Sequence, residues 1–418
     1  MSAVRRCLPG LVSLSVVIFF SGFTIIESSC GSSSHSSSTT TSGAGNGGTS
    51  ATGTTGTGTG SGSSGSGSGS GGTSGGSSAS APQFLYVAGT DGVSAWQVNQ
   101  DSSLTAVSGS PFGVGRVNVV ADPVAAYLFS MGSVSQSDLA VNTDAIAADG
   151  SLKVASSFAD TTLSSGMSIN PSGTVLYVGS ISAAQQNPGW KIFDIQSDGS
   201  VKFVSGVVNQ TANRLIFTPD GSNAYDAYCY HLAASIEHWS VASDGTLTPV
   251  SGQVAQIESM NECPMQVAIT PDGKMLAATW VNADQTGQPD NRIMLYTIDP
   301  TTHALTAVSG GPFNASGAGN DATFDASGKF LVVAQDNGVG VYQVSQNAVV
   351  EVPGSPFASG TNFNRVAFSP SGGSVAAISN ASGRLYVFSF NSSSGALGSG
   401  PGSPMTISGP NDLSFTKQ

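Results

Sequence analysis

The side chains best suited to chemistry in this chain are its arginines. From residue 83 onward there are only five. Three of them open similar apolar runs: Gly115-Arg116-Val117, Asn213-Arg214-Leu215 and Asn364-Arg365-Val366. A guanidinium presents a planar fork of donors that suits carboxylate or phosphate, so a shared Arg-bearing position is a candidate anion site. Asp321 and Asp412 open two further runs of the same kind. Close to Arg214 along the chain lie His231, Glu258, Glu262 and the pair Cys229 and Cys263. A hydrolytic site needs an activated water and a donor for the developing oxyanion. His231 or Glu262 could supply the base and Arg214 the electrostatic partner. The plainer alternatives are an ordinary loop histidine and a purely structural set of charges.

A repeat positions these residues. Its clearest copy runs from Arg214 to Gln253: an apolar run, a Pro-Asp-Gly turn, a second run, a third ending near Trp239, an Asp-Gly turn and a short fourth run. That is four strands with turn punctuation. The first turn recurs at Asp122-Pro123, Pro171-Ser172-Gly173, Pro271-Asp272-Gly273, Ala326-Ser327-Gly328 and Pro370-Ser371-Gly372. The third strand carries Trp96, Phe193, Trp239, Tyr296, Tyr342 or Phe388, and the fourth repeats almost verbatim, as in the runs from Leu104 to Phe112 and from Leu305 to Phe313. No amphipathic helix pattern intervenes, so the class is all-β. The two ends are incomplete. Phe84 to Ala88 is a second strand with no first, and Asn411 to Thr416 is a first strand with no second. Joining them closes a ring without exposed edges. The expected fold is a seven-bladed β-propeller of four-stranded antiparallel blades, closed by the C-terminal strand.

First strands line the channel of such a ring. Their opening position reads Asp412, Arg116, Gly166, Arg214, Gln266, Asp321 and Arg365 for blades one to seven. Blades six, seven, one and two then alternate in sign, a ladder suited to fastening the closure. Arg214 has no acidic neighbour in this alignment and is the best ligand candidate. Asn stands just before four of these positions, at Asn411, Asn213, Asn320 and Asn364, where side chains can cap loop backbone.

The F-[ST]-P-[DS]-G turns, the LYVA-like second strands and the DG-x-L-T turns resemble those of lactonase-type and YVTN-type seven-bladed propellers, over residues 83–418. The resemblance implies a 6-phosphogluconolactonase-like fold and a sugar lactone or similar anion as substrate. In that family a first strand often begins Gly-Pro-Arg-His, and the next strand ends Asn-Glu. Here Arg214 matches, whereas Leu215 and the run Ala227-Tyr228-Cys229 replace the His and the Glu. The expectation is therefore a module that binds a small anionic ligand, or an envelope protein or glycan, with a lactone hydrolase as the alternative. Arg116, Arg214, Arg365, Asp321 and Asp412 are its ligand candidates.

Residues 1–30 read as a lipoprotein-type signal: Arg5 and Arg6, an apolar run from Leu8 to Ile26, then Ser28-Ser29-Cys30. Glu27 departs from the usual lipobox, which leaves secretion without lipid open, and the apolar run nearly reaches spanning length, which leaves an uncleaved membrane anchor as a third option. Lipid at Cys30 would make this the chain's membrane contact, with the protein exported to the cell envelope and monomeric. Residues 31–82 are almost all Gly, Ser, Thr and Ala, the composition of a flexible linker. A net charge of −12 argues against nucleic acid. An exported chain meets oxidising conditions, so Cys229 and Cys263, the two cysteines beyond the signal, are expected to form a disulfide. Neither metal nor cofactor is expected. Asp198, Asp220, Asp244 and Asp272 read as turn formers rather than calcium ligands.

Overall fold

Period-two alternation between turns builds the strands, and the ladders between them build the blades. The computed structural model describes residues 82–123, 127–133, 139–160, 162–180, 189–208, 214–228, 235–250, 255–256, 262–282 and 291–416. Among these the strands form seven antiparallel sheets, each a meander from an inner to an outer strand. Closure is as the chain ends foretell. The last strand, Asp412–Thr416, pairs with Gln83–Gly89 in the register Phe84 to Thr416 through Ala88 to Asp412. The first blade thus takes its inner strand from the far end of the chain.

Seven apolar clusters fill the seven gaps between neighbouring blades. The gap between blades five and six holds Ile293, Leu295, Phe324, Leu331, Val333 and Tyr342. Burying such a side chain contributes about 1.5–3 kcal/mol, so these faces carry most of the stability.

The repeated motifs have local causes. In the Pro-Asp-Gly turns, Gly221 and Gly273 adopt φ of 71° and 70°, a left-handed conformation that costs glycine nothing. Asp198, Asp220, Asp244 and Asp272 each accept the backbone N–H two residues on, which holds the turn. The tyrosines of the second strands reach the next blade. Tyr86 donates to the Gly150 carbonyl at 2.9 Å, Tyr177 to Gly245 at 2.8 Å and Tyr225 to His303 at 2.6 Å. Burial, with a turn aspartate nearby, raises the pKa of each phenol and keeps it a donor. The Ser-Pro motif of the outer strands explains itself in the same way. Proline interrupts the outer strand, and the serine hydroxyl takes over as acceptor. Ser110, Ser355 and Ser403 accept the N–H of Ala95, Val341 and Val387 at 2.9, 3.0 and 2.9 Å.

Candidate functional site

The openings of the inner strands lie together at one mouth of the channel, and side chains there tie each blade to the next. Asp412 accepts the Val119 N–H at 3.1 Å, from blade one to two. Asn118 accepts from Gly166 at 3.4 Å, and Ser168 from Leu215 at 3.0 Å. Asp321 accepts from Val366 at 3.0 Å, from blade six to seven. Arg365 Nε then meets Asp412 Oδ1 at 3.4 Å and completes the seam. The asparagines act as backbone caps: Asn320 donates to the Phe363 carbonyl at 2.7 Å, and Asn364 to that of Asn411 at 3.3 Å. Asn213 lies outside the described residues.

Two expectations need correction. The first concerns Arg116. The N–H groups capped by Asp412 and Asp321 belong to Val119 and Val366, so the residue equivalent to Arg365 is Asn118. A bulge between Arg116 and Asn118 shifts the register and takes Arg116 off the ring. Its Nε donates to Ser130 Oγ at 3.1 Å, and its guanidinium lies over the bare Cα of Gly132. Burial pulls its pKa down, and the charge of Asp144 opposes that. The second concerns Arg214, which does have an acidic partner. Its Nη1 lies 3.9 Å from Asp321 Oδ2, reaching past blade five to blade six. The Arg214 side chain is 28% exposed against 2% for Asp321, so the cation faces solvent and the carboxylate does not.

Asp226 was not anticipated. It is completely buried in the second strand of blade four and accepts the Arg214 N–H at 3.4 Å. Glu237 stands opposite it in the ladder. Blades one, three and six carry Val87, Val178 and Val333 at this register, so the run Asn223-Ala-Tyr-Asp-Ala-Tyr228 held the signal. Blade two shows a similar exchange. Asp144 occupies the third-strand register that is aromatic in the six other blades. Burial raises its carboxyl pKa, and Arg116 draws it part of the way back.

Of the proposed hydrolytic set, Arg214 is at the mouth. His231, Glu258 and Cys229 lie outside the described residues, as do the side chains of Glu262 and Cys263, whose backbone opens the inner strand Glu262–Ile269 of blade five. Among the described residues there is no metal-binding cluster of His, Cys, Asp or Glu, and no helix is long and apolar enough to cross a membrane. Residues 1–30, with Cys30, and the linker to residue 81 are likewise outside the description.

No family model matches this chain, and no curated protein is similar to it in sequence. Solved structures are similar in fold. A provisionally assigned 6-phosphogluconolactonase from Bacteroides uniformis superposes with a TM-score of 0.63 at 14% identity, over 80% of this chain and 99% of that one. The periplasmic gluconolactonase PpgL of Pseudomonas aeruginosa gives 0.60 at 18% identity, over 80% and 99%. A second provisional 6-phosphogluconolactonase, from Bacteroides fragilis, gives 0.62 at 15%, over 81% and 99%. These neighbours carry the 6-phosphogluconolactonase-like seven-bladed fold, and the chain shares it.

Proposed function

We propose that the channel mouth binds a small ligand through a carboxylate or phosphate, with Arg214 as the principal cation and without covalent chemistry. The observation that carries this reading is the contrast among three arginines. Arg365 is paired with Asp412 in the seam at 3.4 Å, and Arg116 is buried against Gly132 and Ser130 of its own blade. Arg214 alone of the three is both solvent-facing and loosely paired, since 3.9 Å exceeds the 2.7–2.9 Å of a good charge-assisted bond. Arg365, Asp321 and Asp412 form the fixed frame around it. Arg116 drops out of this set.

A second reading, lactone hydrolysis, is favoured by the fold shared with the Pseudomonas gluconolactonase. There His231 or Glu262 would be the base and Arg214 the oxyanion partner. One experiment separates the two. Purified protein is titrated with gluconate and 6-phosphogluconate, and assayed with the matching lactones. Binding without turnover, lost in Arg214→Ala, supports the first reading. Turnover lost in Arg214→Ala supports the second, and ligand binding unchanged by Arg214→Ala sinks both.

The same proposal places the protein in the cell envelope, held by lipid at Cys30 or released as a soluble exported form, with an envelope protein or glycan as the other class of partner. A Cys229–Cys263 disulfide would stiffen the loops beside Arg214. Mass spectrometry of alkylated, unreduced protein tests it, and two alkylated cysteines would exclude it.

A further inference from the structure

The ties between blades at the mouth are not evenly spread. Side-chain-to-backbone bonds of the kind made by Asp412 join blades one to two, two to three, three to four and six to seven, and the Arg365–Asp412 pair joins seven to one. In blades four and five this position holds Arg214, which has no acceptor to offer, and Gln266, whose amide oxygen is unpaired, so no cap of that kind reaches the next blade. Asp321 explains part of this. Its Oδ1 caps its own neighbour, the Ala322 N–H, at 3.0 Å, which is the donor that blade five would otherwise hold. Blade five presents Gln266 at this position. Its backbone carbonyl accepts from Thr279 at 3.4 Å, yet its side-chain Oε1 has no hydrogen-bond partner although the residue is 1% exposed. A buried amide oxygen left unpaired costs roughly 1–3 kcal/mol, so such an acceptor marks a place where a donor belongs.

The sector therefore offers three groups in ring order: the Arg214 cation, the Gln266 acceptor and the Asp321 carboxylate. Their charges cancel, as do those of Arg365 and Asp412. The chain as a whole carries −12. A ligand that is only an anion gains no net attraction here, draws Arg214 away from Asp321 and leaves the Gln266 oxygen without a donor. A molecule with an ammonium beside its carboxylate uses all three and keeps the balance of charge. We infer that the mouth around blade five recognises a zwitterionic α-amino acid, its carboxylate on Arg214 and its ammonium on Asp321 and Gln266. This rests on the reading of Arg214 given above and adds the cationic half of the ligand.

The test uses purified full-length protein and pairs of probes that differ only in ammonium against hydroxyl: alanine and lactate, serine and glycerate, aspartate and malate. Calorimetry should rank the amino acid at least about tenfold tighter in one pair, the equivalent of one lost charge-assisted contact, and N-acetylation of that amino acid should abolish the advantage. Asp321→Asn should reverse the order, because it removes the partner of the ammonium while freeing Arg214 for simple carboxylates. If Asp321 only competes for Arg214, the same variant tightens both members of each pair, and the inference fails. Should Asp321→Asn not fold, Gln266→Met is to weaken the amino acid more than its hydroxy partner. Hydroxy acids binding as well as amino acids, with Arg214→Ala abolishing both, would overturn the zwitterion and leave the Arg214 reading standing. No binding by any amino acid of the panel would also overturn it.

Discussion

The closure seam and the junction of blades five and six are made from the same repeat but are held in different ways. At the seam, Arg365, Asp412, Asn364 and Asn411 knit the mouth, and Ser102 and Ser374 meet at 2.8 Å between blades one and seven. At the junction, among the described residues, the apolar cluster around Leu331 has neither a carboxylate cap from blade five at the mouth nor a tyrosine bond, because Gln266 and Ala277 stand at those positions. The difference follows from the residues at the mouth. Blade seven offers Arg365 to the Asp412 carboxylate of the closing strand, whereas blade five offers Gln266, whose amide oxygen accepts nothing, and the apolar gap carries that junction.

The largest expected effect comes from breaking the seam outright. Deleting residues 411–418 removes the inner strand of blade one and bares the edge of Gln83–Gly89. Such an edge invites pairing between molecules, so the truncated protein should aggregate, as seen by light scattering and size exclusion. A monomeric truncation with the parent's melting temperature would refute the closure as a source of stability. Next comes Asp412→Ala, which leaves Arg365 without its carboxylate and Val119 without its cap. Breaking one side of such a buried pair costs about 3–5 kcal/mol, measurable by urea unfolding. At the other junction Leu331→Ala should cost about 2–5 kcal/mol through the cavity it opens, and no charge reversal near the mouth should mimic it. A smaller loss, about 1–2 kcal/mol, is expected for Tyr177→Phe, which leaves the Gly245 carbonyl without its donor.

Much of this was legible in the sequence. The turns and the two unfinished ends specify seven blades and the closing pair, since each turn residue answers a backbone need that no other residue meets as well. Gly221 and the Asp220 side chain are examples. Side-chain register was less legible. Arg116 looks equivalent to Arg365 because both precede Val, yet a bulge that no local pattern announces displaces it by two residues. Contacts across the channel were not legible at all. Arg214 and Asp321 are separated by a whole blade, and their meeting depends on the width of the ring, which the period of a repeat does not contain. Asp226 and Asp144 were visible as acids in apolar runs, and only the ladders show that other blades carry valine or aromatic residues there.

The smallest effect sharpens the comparison on the blade-two side of the seam. Asp144 is buried where six blades place an aromatic ring, and burial raises its pKa more than Arg116 lowers it. The sign follows from proton linkage. A carboxyl whose folded pKa is raised binds its proton more tightly in the native state. Its favourable contribution is complete below the unfolded value of about 4 and is lost as pH rises through the folded value. At neutral pH the ionised Asp144 thus weakens the fold. Asp144→Asn imitates the protonated form, so it should melt above the parent at pH 7.5, and the difference should shrink to nothing below about pH 4. A variant that melts below the parent at pH 7.5 would show that the attraction between Asp144 and Arg116 outweighs the cost of burial. Blade two would then be braced by a charged pair within its own sheet as well as tied to its neighbours at the mouth.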